Sequence, residues 1–162
     1  MAQKGTILIV DDEVGPRESL RMILKPIYEV FMASNGQEAI KCVEKENIDL
    51  VTLDLKMPGL SGINVLQEIK KIKRDIEVII ITGYGTLTNA QEAIRYGAGD
   101  FISKPFNVAD IIGIISKSFE RRNYNLKIKS LIQQIRGLRP MGETKLLPPE
   151  GGRIVGKNCL AE

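Results

Sequence analysis

Apolar residues fall along this chain in two alternating patterns. Short runs rich in β-branched and aliphatic residues occupy 6 to 10 (TILIV), 28 to 33 (YEVFMA), 49 to 53 (DLVTL), 77 to 81 (EVIII) and 100 to 103 (DFIS). Their length and composition predict strands. Between them, apolar residues recur three and four apart: Leu20, Ile23 and Leu24; Ala39, Ile40 and Val43; Val65, Leu66, Ile69 and Ile72; Ala90, Ala93 and Ile94. That spacing puts each set on one helix face. Pro16 suits the first turn of the first helix, and a fifth helix is expected from Val108 to Phe119. Five rounds of strand and helix imply a parallel sheet with helices on both faces, and an unbroken run such as EVIII fits a strand buried on both sides. The expected fold class is α/β, doubly wound, with five parallel strands.

In such sheets the loops after the carboxyl ends of the strands gather along one edge, where ligands bind. Those positions hold Asp11, Asp12 and Glu13 after the first strand, Asp54 after the third, Thr82 after the fourth and Lys104 after the fifth. Adjacent carboxylates repel one another unless a positive group sits among them. Asp11, Asp12 and Asp54 together offer hard oxygen ligands suited to Mg²⁺. A carboxylate beside such an ion can attack phosphorus, forming an acyl phosphate. The Lys104 ammonium and the Thr82 hydroxyl can take further phosphoryl oxygens, with Gly83 leaving room beside them. The set is a phosphoryl-accepting site without a general base.

Composition removes competing chemistries. The chain contains no histidine, which excludes a Ser-His-Asp triad, His-ligated zinc and an internal phosphohistidine. Any such group has to come from a partner. Cys42 and Cys159 lack C-x-x-C spacing and read as two free thiols. No stretch reads as a signal peptide, and no apolar run is long enough to span a bilayer, so a cytoplasmic protein without membrane association is expected. The net charge of +3 is unevenly spread: 14 basic against 17 acidic residues up to Glu120, then 9 against 3 from Arg121 onward.

Taken together, LIVDDE, LDLKMPGLSG, ITGYG and KPF, in that order between Thr6 and Phe119, resemble the receiver domain of bacterial two-component response regulators. The resemblance implies a flavodoxin-like sheet of strand order 2-1-3-4-5. It implies that Asp54 accepts a phosphoryl group from the phosphohistidine of a sensor histidine kinase. Asp12, Asp54 and the backbone carbonyl of Lys56 then match Mg²⁺ ligand positions, Asp11 acting through water. Thr82 matches the switch hydroxyl and Lys104 the lysine of the family pattern, and the Lys104-Pro105 bond is expected to be cis. Phosphorylation would draw the Thr82 hydroxyl inward while the aromatic Phe101 fills the vacated space; Phe101 departs from the tyrosine often found there, and plain core packing is the competing account. Lys56 and Tyr84, each two residues beyond a site residue, are candidates for setting phosphoryl lifetime, against an alternative as solvated loop residues. Such a receiver is expected to signal rather than to act as an enzyme. The rival reading is a Mg²⁺-dependent phosphohydrolase with an aspartyl nucleophile, whose second acid is replaced here by Lys56. A flavin carrier is disfavoured because acids after the first strand would repel the cofactor's phosphate.

Beyond residue 120 the helical spacing continues. Tyr124, Ile128, Leu131, Ile135 and Leu138 stand 4, 3, 4 and 3 apart, a short heptad seam. The expectation for 121–139 is a helical linker or short coiled coil, and for the whole chain a homodimer on phosphorylation, through the fourth and fifth helices or this tail. Arg139-Pro140 is expected to end the helix, leaving 140–162 as flexible linker or the start of an output domain. There GGRIVGKN only partly matches a phosphate loop, with Asn158 where a hydroxyl is required. RIVGKN also weakly resembles the opening of the ATPase domain of enhancer-binding transcription activators, implying a transcriptional output. No nucleic-acid-binding motif is visible in the residues present.

Overall fold

The computed structural model describes residues 3–146, with side chains as far as residue 138. Among the described residues strands and helices alternate as β1 (Thr6–Val10), α1 (Val14–Leu24), β2 (Glu29–Ala33), α2 (Gly36–Lys45), β3 (Leu50–Leu53), α3 (Gly62–Ile72), β4 (Glu77–Thr82), α4 (Leu87–Arg95), β5 (Asp100–Ser103) and α5 (Val108–Leu146). The strands form one parallel sheet in the order β2-β1-β3-β4-β5. Its register pairs Val10 with Leu53 and Thr82 with Ser103. The order reverses between β1 and β3, the point at which a doubly wound sheet opens a crevice at its carboxyl edge.

Side chains alternate across each strand, so the apolar runs divide between two layers. Leu8, Val10, Val51, Leu53, Val78 and Ile80 pack on one face under Ala39, Val43, Val65, Leu66, Ile69 and Ala93 of α2, α3 and α4. Ile7, Ile9, Leu50, Ile79 and Ile81 pack on the other under Leu20 and Leu24 of α1 and Ile111 and Ile115 of α5. Burial of β3 and β4 on both sides explains why their sequence shows no polar alternation. Four helices start on side-chain caps: Asn35, Ser61, Thr86 and Asn107 accept from the backbone N–H groups of Glu38, Asn64, Asn89 and Asp110. A capped first turn satisfies an otherwise orphaned donor and sets where each loop leaves the sheet edge.

The opposite edge of the sheet holds α5 by charge. Arg121 makes a bidentate pair with the buried Glu77 of β4, at 3.0 Å through both Nε and Nη2. Arg122 pairs with Asp49 at 3.2 Å. A Cβ at Gly99 would meet the ends of the Arg121 and Glu77 side chains, so a larger residue there would have to displace this pair. These contacts account for a boundary that differs from the one expected at 120. The chain divides into units Met1–Asn123 and Tyr124–Glu162, because the two arginines still belong to the sheet.

The helix stop expected at Arg139-Pro140 is also corrected, since α5 continues to Leu146. A proline inside a helix loses one donor and crowds the carbonyl four residues back, at about 3 kcal/mol. The flanking sequence nonetheless consists largely of good helix formers, Leu138, Met141, Glu143 and Lys145 among them. The segments LLPPEGG and RIVGKN fall outside the described residues, apart from Leu146. Among the described residues no helix is long and apolar enough to cross a membrane.

Candidate functional site

β1, β3, β4 and β5 end at the same edge, and the residues that follow or close them converge. Asp54 lies 4% exposed at the centre. Its Oδ1 accepts from the Thr82 hydroxyl at 2.7 Å and from the Lys56 backbone N–H at 3.1 Å; its Oδ2 accepts from the Lys104 ammonium at 3.0 Å. Lys104 also donates to Asp11 Oδ2 at 2.7 Å, and its Nζ lies 3.8 Å from Glu13. The ligand oxygens of Asp11, Asp12 and Asp54 lie within 4.8 Å of one another. Above them opens a cleft of about 640 Å³, bordered by Asp12, Lys56, Met57, Pro58, Gly83 and Tyr84.

Electrostatics follow from this crowding. Burial pushes the Asp11 carboxyl up from its ordinary value, and the neighbouring Asp54 pushes the same way. Hydrogen bonds from Lys104 and from the Glu13 N–H offset only part of this. Burial alone would lower the Lys104 ammonium, but its bonds to Asp11 and Asp54 outweigh that and raise it. Lys104 therefore stays charged. With Glu13 also beside it, the Lys104 ammonium is outnumbered by carboxylates, and the site presents net negative charge to a cation. Asp11, Asp12 and Asp54 all offer hard oxygens, so the residues present fit Mg²⁺.

Asp11, Asp12, Asp54, Thr82 and Lys104 meet at one point, and the Lys104-Pro105 bond is cis. Thr82 is the last residue of β4 rather than the first beyond it, and its hydroxyl already reaches Asp54. Gly83 is exposed, and a Cβ there would meet only Lys104 Cβ at 3.8 Å, so the position does not depend on glycine for space. Phe101 is half-buried and packs on the core layer beneath α2, α3 and α4. Its ring lies so close to Gly85 that a Cβ at that glycine would stand 2.9 Å away. Lys56 and Tyr84, singled out separately, touch each other: the Lys56 ammonium sits 4.8 Å from the centre of the Tyr84 ring.

Two supporting residues escaped the sequence reading. Arg17 of α1 donates to the Asp11 backbone carbonyl at 2.6 Å and so fixes the loop that carries the acids. A Cβ at Gly62, the first residue of α3, would come within 2.5 Å of the Asp54 carbonyl and of Leu55 Cα. α3 can begin against the Asp54 backbone only because Gly62 lacks one. Neither role has a local signature, since each depends on an approach between segments distant in the fold.

Comparison with known proteins converges on one family. The sequence matches the response regulator receiver domain over residues 7–116. It is 44% identical over 112 residues to the sporulation initiation phosphotransferase F of Bacillus subtilis (strain 168), covering 68% of this chain and 90% of that protein. The structure resembles a response regulator receiver domain protein (CheY-like) from Methanospirillum hungatei JF-1, with TM-score 0.74 and 30% identity over 76% of this chain and 99% of that one. It also resembles NtrX from Brucella abortus, solved in complex with ATP, with TM-score 0.75 and 33% identity, covering 80% of this chain but 30% of that one. The chain spans about half the length of other curated relatives, the probable transcriptional regulators ycf27 and the regulatory protein VanR.

Proposed function

Because the chain belongs to the response regulator receiver domain family, we propose that Asp54 is its phosphoacceptor, receiving a phosphoryl group from the phosphohistidine of a sensor histidine kinase. One observation carries this reading: a single buried carboxylate accepts from an ammonium, a hydroxyl and a backbone N–H at 2.7 to 3.1 Å, beside two further carboxylates. Those donors are the groups that a transferred phosphoryl group needs on its oxygens.

Asp11, Asp12, Asp54 and the Lys56 backbone carbonyl would hold Mg²⁺, Asp11 acting through water. The ion, when bound, supplies charge that offsets the phosphoryl oxygens. The protein's own groups do the rest. An Asp54 carboxylate oxygen forms a bond to phosphorus while the P–N bond to the donor imidazole breaks, the electron pair leaving with the nitrogen. The Lys104 ammonium shifts its hydrogen bond from Asp54 to a phosphoryl oxygen, and Thr82 does likewise, with Gly83 beside it. The Thr82 shift is passed along the loop to Gly85 and the adjoining Phe101 ring, which repacks. Lys56 and Tyr84, in contact at the border of the cleft, limit the approach of water and set the lifetime of the acyl phosphate.

Residues 1–123 act as the receiver in this reading, 124–146 as a helical link, and the residues that follow as linker or the beginning of an output domain. A transcriptional output is in keeping with the regulators that the chain resembles. The protein acts as a stoichiometric signalling acceptor in the cytoplasm rather than as a phosphohydrolase with turnover.

Intact mass spectrometry after incubation with acetyl phosphate and Mg²⁺ tests the proposal. Native protein is expected to gain one phosphoryl group and Asp54→Asn none. Equal incorporation by both would reject Asp54 as the acceptor.

A further inference from the structure

α1 begins against local expectation. Its N-cap residue, Glu13, makes no side-chain cap bond, and its first turn holds no acid. The turn consists instead of Val14, Gly15, Pro16 and Arg17. A cation there meets the positive end of the helix dipole, where it is disfavoured. A local rule broken without local gain points to a demand made elsewhere in the fold. The anomaly alone names no role, but the structure supplies one: Arg17 Nη1 donates to the Asp11 backbone carbonyl at 2.6 Å.

That carbonyl belongs to the peptide joining Asp11 to Asp12. A peptide unit is planar, so holding its oxygen sets the plane from which the Asp12 Cα and side chain depart. The flanking groups are tied down separately. The Asp11 N–H donates to the Ala33 carbonyl at 3.2 Å, and the Glu13 N–H donates to Asp11 Oδ1 at 3.0 Å. The Asp11 carboxylate is held in addition by Lys104. The Asp12 carboxylate, by contrast, makes no hydrogen bond or ion pair among the described residues, so its direction is set through the backbone. We infer that Arg17 is a positioning residue for the divalent-cation site, aiming the Asp12 carboxylate through the Asp11 carbonyl toward the oxygens of Asp11 and Asp54. The inference rests on the Mg²⁺ reading of the three acids given above.

Arg17 acts on a bound cation in two opposed ways. Its charge, beside the acid loop, repels a divalent ion through space. Its hydrogen bond orders a ligand in advance, which favours binding. Removing an outer partner of a metal ligand weakens affinity by about 10- to 100-fold, whereas a through-space effect at a half-exposed position is small and fades with salt. Ordering should therefore win, and the sign of a substitution shows whether it does.

Mn²⁺ titration of the full chain, followed by loss of the free ion's EPR signal and repeated with Mg²⁺ as competitor, tests the inference at a temperature where circular dichroism shows each variant folded. Arg17→Met keeps the stem and removes both donor and charge; it should bind about tenfold more weakly, at low and at high salt alike. Arg17→Lys restores a donor and should recover most of the affinity. Arg21→Met, one turn further along α1, should leave it unchanged. On an Asp12→Asn background, which lacks the aimed ligand, Arg17→Met should have less than about twofold further effect. Tighter or unchanged binding by Arg17→Met, a loss that Arg17→Lys does not recover, or an equal loss on the Asp12→Asn background would overturn the inference and leave the metal site standing. Absence of binding by native protein would remove the site itself, and the inference with it.

Discussion

Thr52 sits in the middle of β3, 1% exposed, and its hydroxyl has no protein partner. Its register neighbours are Ile9 and Ile79, so the oxygen faces an apolar layer. A buried hydroxyl without a hydrogen bond is destabilising, and valine keeps the β-branched shape. Thr52→Val should therefore raise stability by about 1 kcal/mol, read as a higher urea midpoint with an unchanged slope. The contact between Lys56 and Tyr84 leads to a kinetic expectation. An exposed cation–π pair contributes about 0.5–1 kcal/mol, so Lys56→Ala and Tyr84→Ala should each speed loss of phosphate from Asp54 by about two- to fivefold. Radiolabel decay from the phosphorylated protein measures this, and two unchanged rates would leave both as ordinary loop residues. The site residues themselves were legible in the sequence because each follows or closes an apolar run. Arg17 and Gly62 were not, since their value lies in the Asp11 carbonyl and the Asp54 backbone that they approach.

Helices were legible as faces but not always as ends. α2 has clear signals: Asn35 caps the Glu38 N–H at 2.9 Å, and Glu38 returns to the Ser34 N–H at 2.9 Å and hydroxyl at 3.0 Å. Those Ser34 bonds hold the Glu38 carboxyl below its ordinary value. A carboxylate with a depressed folded pKa contributes stability that is present above its unfolded pKa and is lost as pH falls through the folded one. Native protein should accordingly lose a small part of its stability on acidification that Glu38→Gln lacks, and the two melting curves should draw together once the native carboxyl is protonated. Equal differences at every pH would detach the cap from its charge. α5 shows the opposite case. Its apolar spacing slips phase between Phe119 and Tyr124, which reads as a boundary at 120, yet the helix continues and the Arg121 and Arg122 ion pairs move the division to Asn123.

For the whole molecule, the site is a concentration of like charge that the fold has to hold together. If Asp11, Asp12 and Asp54 bind a divalent ion only in the folded state, Mg²⁺ should stabilise by about 1.4 kcal/mol at ten times its dissociation constant. Removal by EDTA should reverse the gain. Asp12→Asn, which takes one charge from the cluster without removing Asp54, should melt higher than native protein in EDTA and lose most of the Mg²⁺-dependent shift. Differential scanning calorimetry reads both, and a Mg²⁺ response equal in the two proteins would remove Asp12 from the ligands. The sequence by itself determined the class of fold, because five apolar runs alternating with helical faces leave few ways to bury all of them. It also determined which residue types stand at the strand ends. Only tertiary structure decided that Lys104 bridges Asp11 to Asp54, that Thr82 already bonds Asp54, and that Lys56 lies on Tyr84. Periodicity records which face of an element is buried; the distance between two side chains is set by how separate elements pack, and no local pattern carries that.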